Sequence, residues 1–256
     1  MMVDVAVTGA AGRMGREVLA AAADRDDCKV VFAVNRSPVD EPIAGVDVRP
    51  SDEFAALVAD HEPDVVVDFT GPESAVDYAV ACADHGVAFV TGTTGFDEDG
   101  LADLKTASES TAVLKASNFS RGVAALRLAV REATAALPDA DIELTETHHN
   151  AKRDAPSGTA KTLLDDIEDV RADLSERVHG RDGEAPRSTD EIGVHARRAG
   201  DVAGEHEVLL GGSNEVLSLT HRAGDRSIFA DGALDAAEWL AGREAGWYDF
   251  FEVIEG

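Results

Sequence analysis

The densest chemistry in this chain lies in residues 146–159, ETHHNAKRDAPSGT. Two adjacent histidines (His148, His149), Lys152 and an aspartate precede a Pro-Ser-Gly-Thr turn. Histidine titrates near neutral pH and suits proton transfer. A lysine ammonium beside it can hold a carboxylate or protonate a carbanion or enamine. Ser157, Gly158 and Thr159 offer backbone amides at a helix start, a site for a second carboxylate. These groups together point to a small dianionic substrate. The competing reading makes the histidines metal ligands or exposed loop residues. Metal is the weaker option and none is expected, because no third His, Cys or carboxylate stands at a clear ligand spacing. His195, His206 and His221 fall on strand-like runs and read as structural or surface groups.

A second set of residues indicates the partner of that stretch. VAVTGAAGRMG at residues 5–15 places Gly9, Gly12 and Gly15 between a strand and a helix. Glycines there allow a tight turn and close backbone approach, and the helix N-terminus then faces a pyrophosphate. Ala11 occupies the second glycine position of a strict G-x-G-x-x-G, so the motif alone is weak. A second strand that ends about 20 residues later strengthens it. That strand ends at Asn35-Arg36, where a carboxylate would hold the ribose hydroxyls of NAD. Arg36 can instead pair with a 2′-phosphate, which is compatible with NADPH and leaves the choice between NADPH and NADH open; the bland alternative is a solvated surface arginine. GTTGF (Gly92 to Phe96) and ASNFS (Ala116 to Ser120) follow later strands, and Asp68, Phe69 and Thr70 end another. In a parallel sheet all of these share the carboxyl edge, where ligands bind.

The elements needed to position both sets can be read from periodicity. Val3 to Thr8, Lys29 to Val34, Asp64 to Phe69, Val87 to Thr91 and Thr111 to Ala116 read as strands. Gly9 to Gly15 reads as a turn and Ser37 to Pro50 as loop. Helices are expected at Arg16 to Asp24, Ser51 to Asp60 (with Ser51 as N-cap), Pro72 to His85 and Asp97 to Ser108. Beyond them, a long helix spans Arg121 to Leu137, a strand Asp141 to Thr147 and a helix Thr159 to Val170. His179 to Asp190 reads as a mobile loop. IGVHARRA, GEHEVLLG, NEVLSLTHRA and RSIFA read as strands, and Ala233 to Leu240 as a final helix. The fold class is α/β: a Rossmann-type, mostly parallel sheet domain plus an α+β domain with an open mixed or antiparallel sheet. The expected boundaries are 1–119 with 228–256 for the dinucleotide domain and 120–227 for the substrate domain.

Composition narrows the function classes. The chain has 256 residues, with 50 Asp+Glu against 23 Lys+Arg, a net charge of −27. So acidic a surface repels phosphate backbones and disfavours nucleic-acid binding. It fits a folded protein in a high-salt cytoplasm, where salt screens self-repulsion. No apolar run approaches the ~20 residues that span a membrane, and the N-terminus lacks a basic leader region. A cytoplasmic protein follows, with Cys28 and Cys82 as reduced thiols.

GAAGRMG, DFTGPE, GTTGF, SNFSRGV, HHNAKRDAPSGTA, RAGDVAGEHEV and FADGALDAAEWL occur in this order along nearly the whole chain. In this the chain resembles the dihydrodipicolinate reductase (4-hydroxy-tetrahydrodipicolinate reductase) family of lysine biosynthesis. The resemblance implies hydride transfer from NADPH or NADH to C4 of a cyclic imine dicarboxylate. It implies a cofactor site of Gly9, Ala10, Ala11, Gly12, Arg13, Met14, Gly92, Thr93, Thr94, Ala116, Ser117, Asn118 and Phe119, beside Asn35 and Arg36. It implies His148 as catalytic proton donor, Lys152 as a second donor, and His149, Gly158 and Thr159 as substrate contacts. A homotetramer built through the second domain's sheet, and a C-terminal helix belonging to the first domain, are implied as well. Asn35 departs from the acidic residue common in the family, which bears on cofactor choice. Two other readings stand beside this one: another NAD(P)-linked dehydrogenase, such as one acting on aspartate, and a non-enzymatic dinucleotide-sensing protein.

Overall fold

In the computed structural model, which describes residues 2–255, the chain forms two units, Met1–Ser120 with Arg226–Gly256, and Arg121–Asp225. The first unit opens with β1 (Val3–Thr8), α1 (Arg13–Ala23), β2 (Cys28–Asn35), β3 (Val48–Pro50), α2 (Phe54–His61), β4 (Val65–Asp68) and α3 (Pro72–His85). It continues through β5 (Ala88–Thr91), α4 (Glu98–Ala107) and β6 (Ala112–Lys115). The second unit holds α5 (Arg121–Ala136), β7 (Asp141–His148), α6 (Gly158–Val170), β8 (Glu176–His179), β9 (Glu191–Arg198), β10 (Glu205–Gly211) and β11 (Val216–Arg222). The chain then completes the first unit with α7 (Ser227–Leu240), β12 (Gly246–Tyr248) and α8 (Phe250–Glu255).

The first unit is a seven-stranded sheet in the order β12-β6-β5-β4-β1-β2-β3, parallel throughout. Its central strands are β-branched and buried on both faces, as crossover helices require. Val5, Val7, Val65, Val67 and Val90 are wholly buried. One core cluster joins Phe32, Phe54, Tyr78, Phe89 and Leu104. α7 packs across β4, β5 and β6 and against α1.

The second unit is a five-stranded mixed sheet, β11-β10-β7-β9-β8. β10 runs antiparallel to β7 and β11, whereas β9 runs parallel to β7 and β8. Strand alternation puts Ile142, Leu144, Glu146 and His148 on one face of β7. Ile142 and Leu144 pack with Leu126 and Val130 of α5 and with Leu163, Leu164 and Ile167 of α6. The inward face of one strand therefore passes from apolar core to titratable groups in its last two inward positions. Ser157 caps α6, its hydroxyl accepting the Ala160 amide at 3.1 Å, a standard way to satisfy a first-turn donor.

Several expectations need correction. The segment from Ser37 to Pro50 is not all loop: Val48–Pro50 pairs in parallel with β2. It is three residues long and sits on the sheet edge, where Pro50 loses no ladder bond. Ser51 does not cap a helix; a 3-10 turn over Ser51–Glu53 leads into α2. Arg13 and Met14 lie within α1, so the glycine turn is shorter than Gly9 to Gly15. RSIFA is the start of a helix, because its apolar residues continue at helical spacing through Ala230, Ala233, Leu234 and Ala237, all buried. Sequence reasoning missed β8, β12 and α8. No helix among the described residues is long and apolar enough to cross a membrane.

Candidate active site

The glycine turn after β1 is shaped by its neighbours. Gly9 has φ +70, and a Cβ there would meet the Phe69 carbonyl oxygen at 2.7 Å. Only glycine permits both that conformation and that approach. Gly9 and Gly12 line a cavity of about 840 Å³ with Asn35, Arg36, Phe69, Thr70 and Gly71. The α1 N-terminus begins at Gly12 with no side-chain cap and no acid in its first turn. Uncapped first-turn amides with a positive dipole end fit an anionic group such as a pyrophosphate.

Ala11 and Asn35 border an adjoining cavity with Arg16 and Ser37. Asn35 Oδ1 accepts the Ala11 amide at 3.3 Å, and its Nδ2 donates to the Ser37 carbonyl at 2.8 Å. Ala10 is buried and its amide donates to the Val34 carbonyl, so only its backbone borders the turn. Arg13 and Arg36 are exposed and Met14 is half-buried. Gly92 to Thr94 and Ala116 to Phe119 follow β5 and β6 at the same carboxyl edge, outside the wall of the larger cavity. Phe119 is buried against Phe69 and Phe250.

A buried carboxylate ties that edge together. Asp68, with no exposed surface, accepts the hydroxyls of Thr8 (2.7 Å) and Thr70 (2.6 Å) on one oxygen. Its other oxygen accepts those of Thr91 (2.8 Å) and Thr93 (2.7 Å). Thr93 Oγ1 also accepts the Thr70 amide at 3.1 Å. The sequence placed Asp68 at the edge but did not reveal this node, which fixes the ends of β1, β4 and β5 relative to one another.

In the second unit, His148 ends β7 and is buried. Its Nδ1 lies 2.6 Å from Glu146 Oε2, and burial lowers its pKa while Glu146 works in the opposite direction. Lys152 does not stand alone: its Nζ is paired with Asp154 at 2.8 Å, holding that carboxyl below its usual range. His149 is half-buried, and its carbonyl accepts the Lys152 amide at 3.2 Å. Gly158 and Thr159 are the first residues of α6, where first-turn amides point away from the helix. The structure thus brings His148, the Ser157 cap and the α6 N-terminus together around Glu146, whose Oε1 accepts the Ser157 amide at 3.2 Å.

Sequence reasoning missed Glu146, Arg198 and Gly204. Spacing alone offered a signal for Glu146, because i and i+2 share a face on an alternating strand. His206, read as structural or surface, is buried with its Nε2 3.0 Å from Ser157 Oγ and its ring 5.2 Å from that of His148. His195 pairs with Glu143 at 2.8 Å on the other face of the sheet. Cys28 and Cys82 are free, buried thiols.

Comparisons with known proteins converge. A family model described as dihydrodipicolinate reductase, N-terminus, matches residues 3–119, and one described as dihydrodipicolinate reductase, C-terminus, matches residues 122–254. A 4-hydroxy-tetrahydrodipicolinate reductase of Natronomonas pharaonis is 56% identical over 98% of this chain and 100% of its own length. That of Haloarcula marismortui is 54% identical over 99% of this chain and 100% of its own. Among solved structures, a dipicolinate-bound dihydrodipicolinate reductase from Paenisporosarcina sp. TG-14 superposes with a TM-score of 0.83 at 26% identity. It covers 97% of this chain and 98% of that one.

Proposed function

The chain belongs to the dihydrodipicolinate reductase family, and from that premise we propose how its own residues bind and protonate the substrate. It is an NAD(P)H-dependent oxidoreductase that reduces 4-hydroxy-tetrahydrodipicolinate to tetrahydrodipicolinate, in the diaminopimelate route to lysine. When bound, the reduced dinucleotide supplies the hydride.

The chain supplies the rest. The turn from Gly9 to Gly12 and the uncapped start of α1, with Arg13 and Met14, hold the pyrophosphate. Gly92 to Thr94 and Ala116 to Phe119 border the remainder of the cofactor. Arg36, exposed at the end of β2, favours the 2′-phosphate of NADPH, and Asn35, a neutral amide already bonded to Ala11 and Ser37, does not repel it. The first-turn amides at Gly158 and Thr159 receive one substrate carboxylate. His149 and Lys152 contact the dicarboxylate, Lys152 by exchanging Asp154 for it. His148 donates the proton that completes reduction, with Lys152 as a second donor, and both stabilise the negative charge that develops.

The observation that carries this reading is the convergence at Glu146 of the His148 imidazole and the amide that opens the anion-binding turn of α6. A proton donor and a carboxylate site held by one group suit a substrate that is both anionic and protonated. A dinucleotide-sensing protein needs neither. Adding the cyclic substrate to protein and NADPH tests the reading: NADPH absorbance falls, and pyridine-2,6-dicarboxylate inhibits competitively. Binding of NADPH without turnover supports the sensing alternative instead.

A homotetramer through the second unit's sheet is part of the proposal. β11 is an edge strand that exposes Val216 and Leu217, a surface that invites another strand. A cytoplasmic, high-salt setting is proposed from the charge of −27, and Natronomonas pharaonis and Haloarcula marismortui are halophilic archaea.

A further inference from the structure

Glu146 has no exposed surface. A buried carboxylate is expensive unless its lone pairs are met by donors, and here the donors divide evenly between the two oxygens. Arg198 reaches across from β9 with Nη1 on Oε2 and Nη2 on Oε1, both at 2.8 Å. Each oxygen then takes one further partner from the site: His148 Nδ1 on Oε2 at 2.6 Å, and the Ser157 amide on Oε1 at 3.2 Å. A single rigid group therefore sets the spacing between the imidazole and the first turn of α6.

The same contact selects a tautomer. An ionised carboxylate only accepts, so Nδ1 of His148 carries a proton and Nε2 is the nitrogen available to deliver one. Gly204 packs beside Nε2, where a Cβ would stand 3.1 Å from that nitrogen, so glycine leaves it the space a side chain would take. The charged and titratable groups facing His148 are Glu146 on its own strand, Arg198 on β9, Lys152 in the following loop and His206 on β10. Burial, Lys152 and Arg198 disfavour its protonated form, and only Glu146 favours it.

We propose that Glu146 is a positioning residue for the reduction: it fixes His148 with Nε2 outward, keeps that ring protonatable, and registers it against the carboxylate-binding start of α6. This rests on the reading of His148 as the proton donor. It differs from a purely structural role, in which Glu146 would only neutralise Arg198.

The test is the pH profile of kcat for wild type, Glu146→Gln, Glu146→Asp and His148→Gln. A general acid must be protonated, so activity falls as pH rises through its pKa. Removing the Glu146 charge, which favours the protonated ring, lowers that pKa. Glu146→Gln should move the alkaline limb down by roughly one pH unit or more, with kcat at least about tenfold lower above the limb. KM for NADPH should stay unchanged, and Glu146→Asp should keep the limb near its wild-type position. An unmoved limb in a folded Glu146→Gln overturns the inference while leaving His148 as donor. Wild-type kcat in His148→Gln overturns the donor reading itself. Should Glu146→Gln fail to fold, ring-nitrogen NMR on 15N-His wild type decides: the Nδ1–H tautomer is expected, and Nε2–H refutes the proposal.

Discussion

Ser157 Oγ lies 3.0 Å from His206 Nε2 while it accepts the Ala160 amide at 3.1 Å. The neutral imidazole meets this hydroxyl through Nε2, as donor or acceptor according to its tautomer, and turns Nδ1 toward the interior. That nitrogen is buried without a hydrogen-bond partner among the described residues. Burial accordingly pushes the His206 pKa down to about 4.

Acid stability should reflect this ring. The unfolded chain takes up the proton first, near pH 6.5. The contribution is therefore whole above that value and is lost as pH falls from about 6.5 toward 4, by at most about 3 kcal/mol. Unfolding midpoints from pH 7.5 to 4.5 should drop more steeply for wild type than for His206→Gln. Parallel curves would refute the assignment.

The proposed donors predict a kinetic signature. His148→Gln or Lys152→Ala should lower kcat by about 10²-fold or more, the usual scale for acid–base catalysis. Steady-state turnover of NADPH reports it. A loss of only a few-fold would remove the residue from the chemistry.

Asp68 should be among the most sensitive positions of the first unit. Asp68→Ala strips the acceptor from four buried or half-buried threonine hydroxyls. A destabilisation of about 3 kcal/mol or more follows, together with weaker NADPH binding, because the loops after β1, β4 and β5 lose their common anchor. Urea denaturation and a dinucleotide titration measure the two effects; a change under about 1 kcal/mol would contradict the node.

Arg36 should govern cofactor choice. Arg36→Ala is expected to raise KM for NADPH by about tenfold, one lost charge-assisted contact, while KM for NADH stays nearly unchanged. An unaltered NADPH/NADH ratio of kcat/KM would show that Arg36 is only solvated.

Salt should stabilise the fold. The net charge of −27 leaves unpaired acids to repel one another, and molar salt shortens the screening length to about 3 Å. The unfolding midpoint should rise steadily from low to molar KCl. A flat dependence would show that ion pairs such as Arg177 with Glu168 and Asp165 already balance the surface.

Local pattern carried much of this molecule. β4 reads as DVVVDF because a strand buried on both faces must be continuously apolar, and the HHNAKRDAPSGTA stretch displays its donors and its helix start in one segment. What pattern hides is pairing across distance. Glu146 is one of 50 acidic residues, and its partner Arg198 becomes visible only once β7 and β9 are laid side by side with His148 opposite Arg198. Lys152 with Asp154 is a local pair, yet composition cannot show that the ammonium turns back on its own loop. The short edge strand Val48–Pro50 and the helical start at Ser227 escaped for another reason: over so few residues neither period 2 nor period 3.6 can be told apart.

The first unit leaves off at Ser120 and resumes at Arg226. During synthesis its sheet must therefore wait, with the surface that α7 covers on β4, β5 and β6 bare, until the whole intervening unit has left the ribosome. A released chain truncated after residue 225 should be protease-sensitive in its amino-terminal portion while Arg121–Asp225 is resistant. A frameshift within the codons of α7 would therefore damage dinucleotide binding at the distant glycine turn after β1.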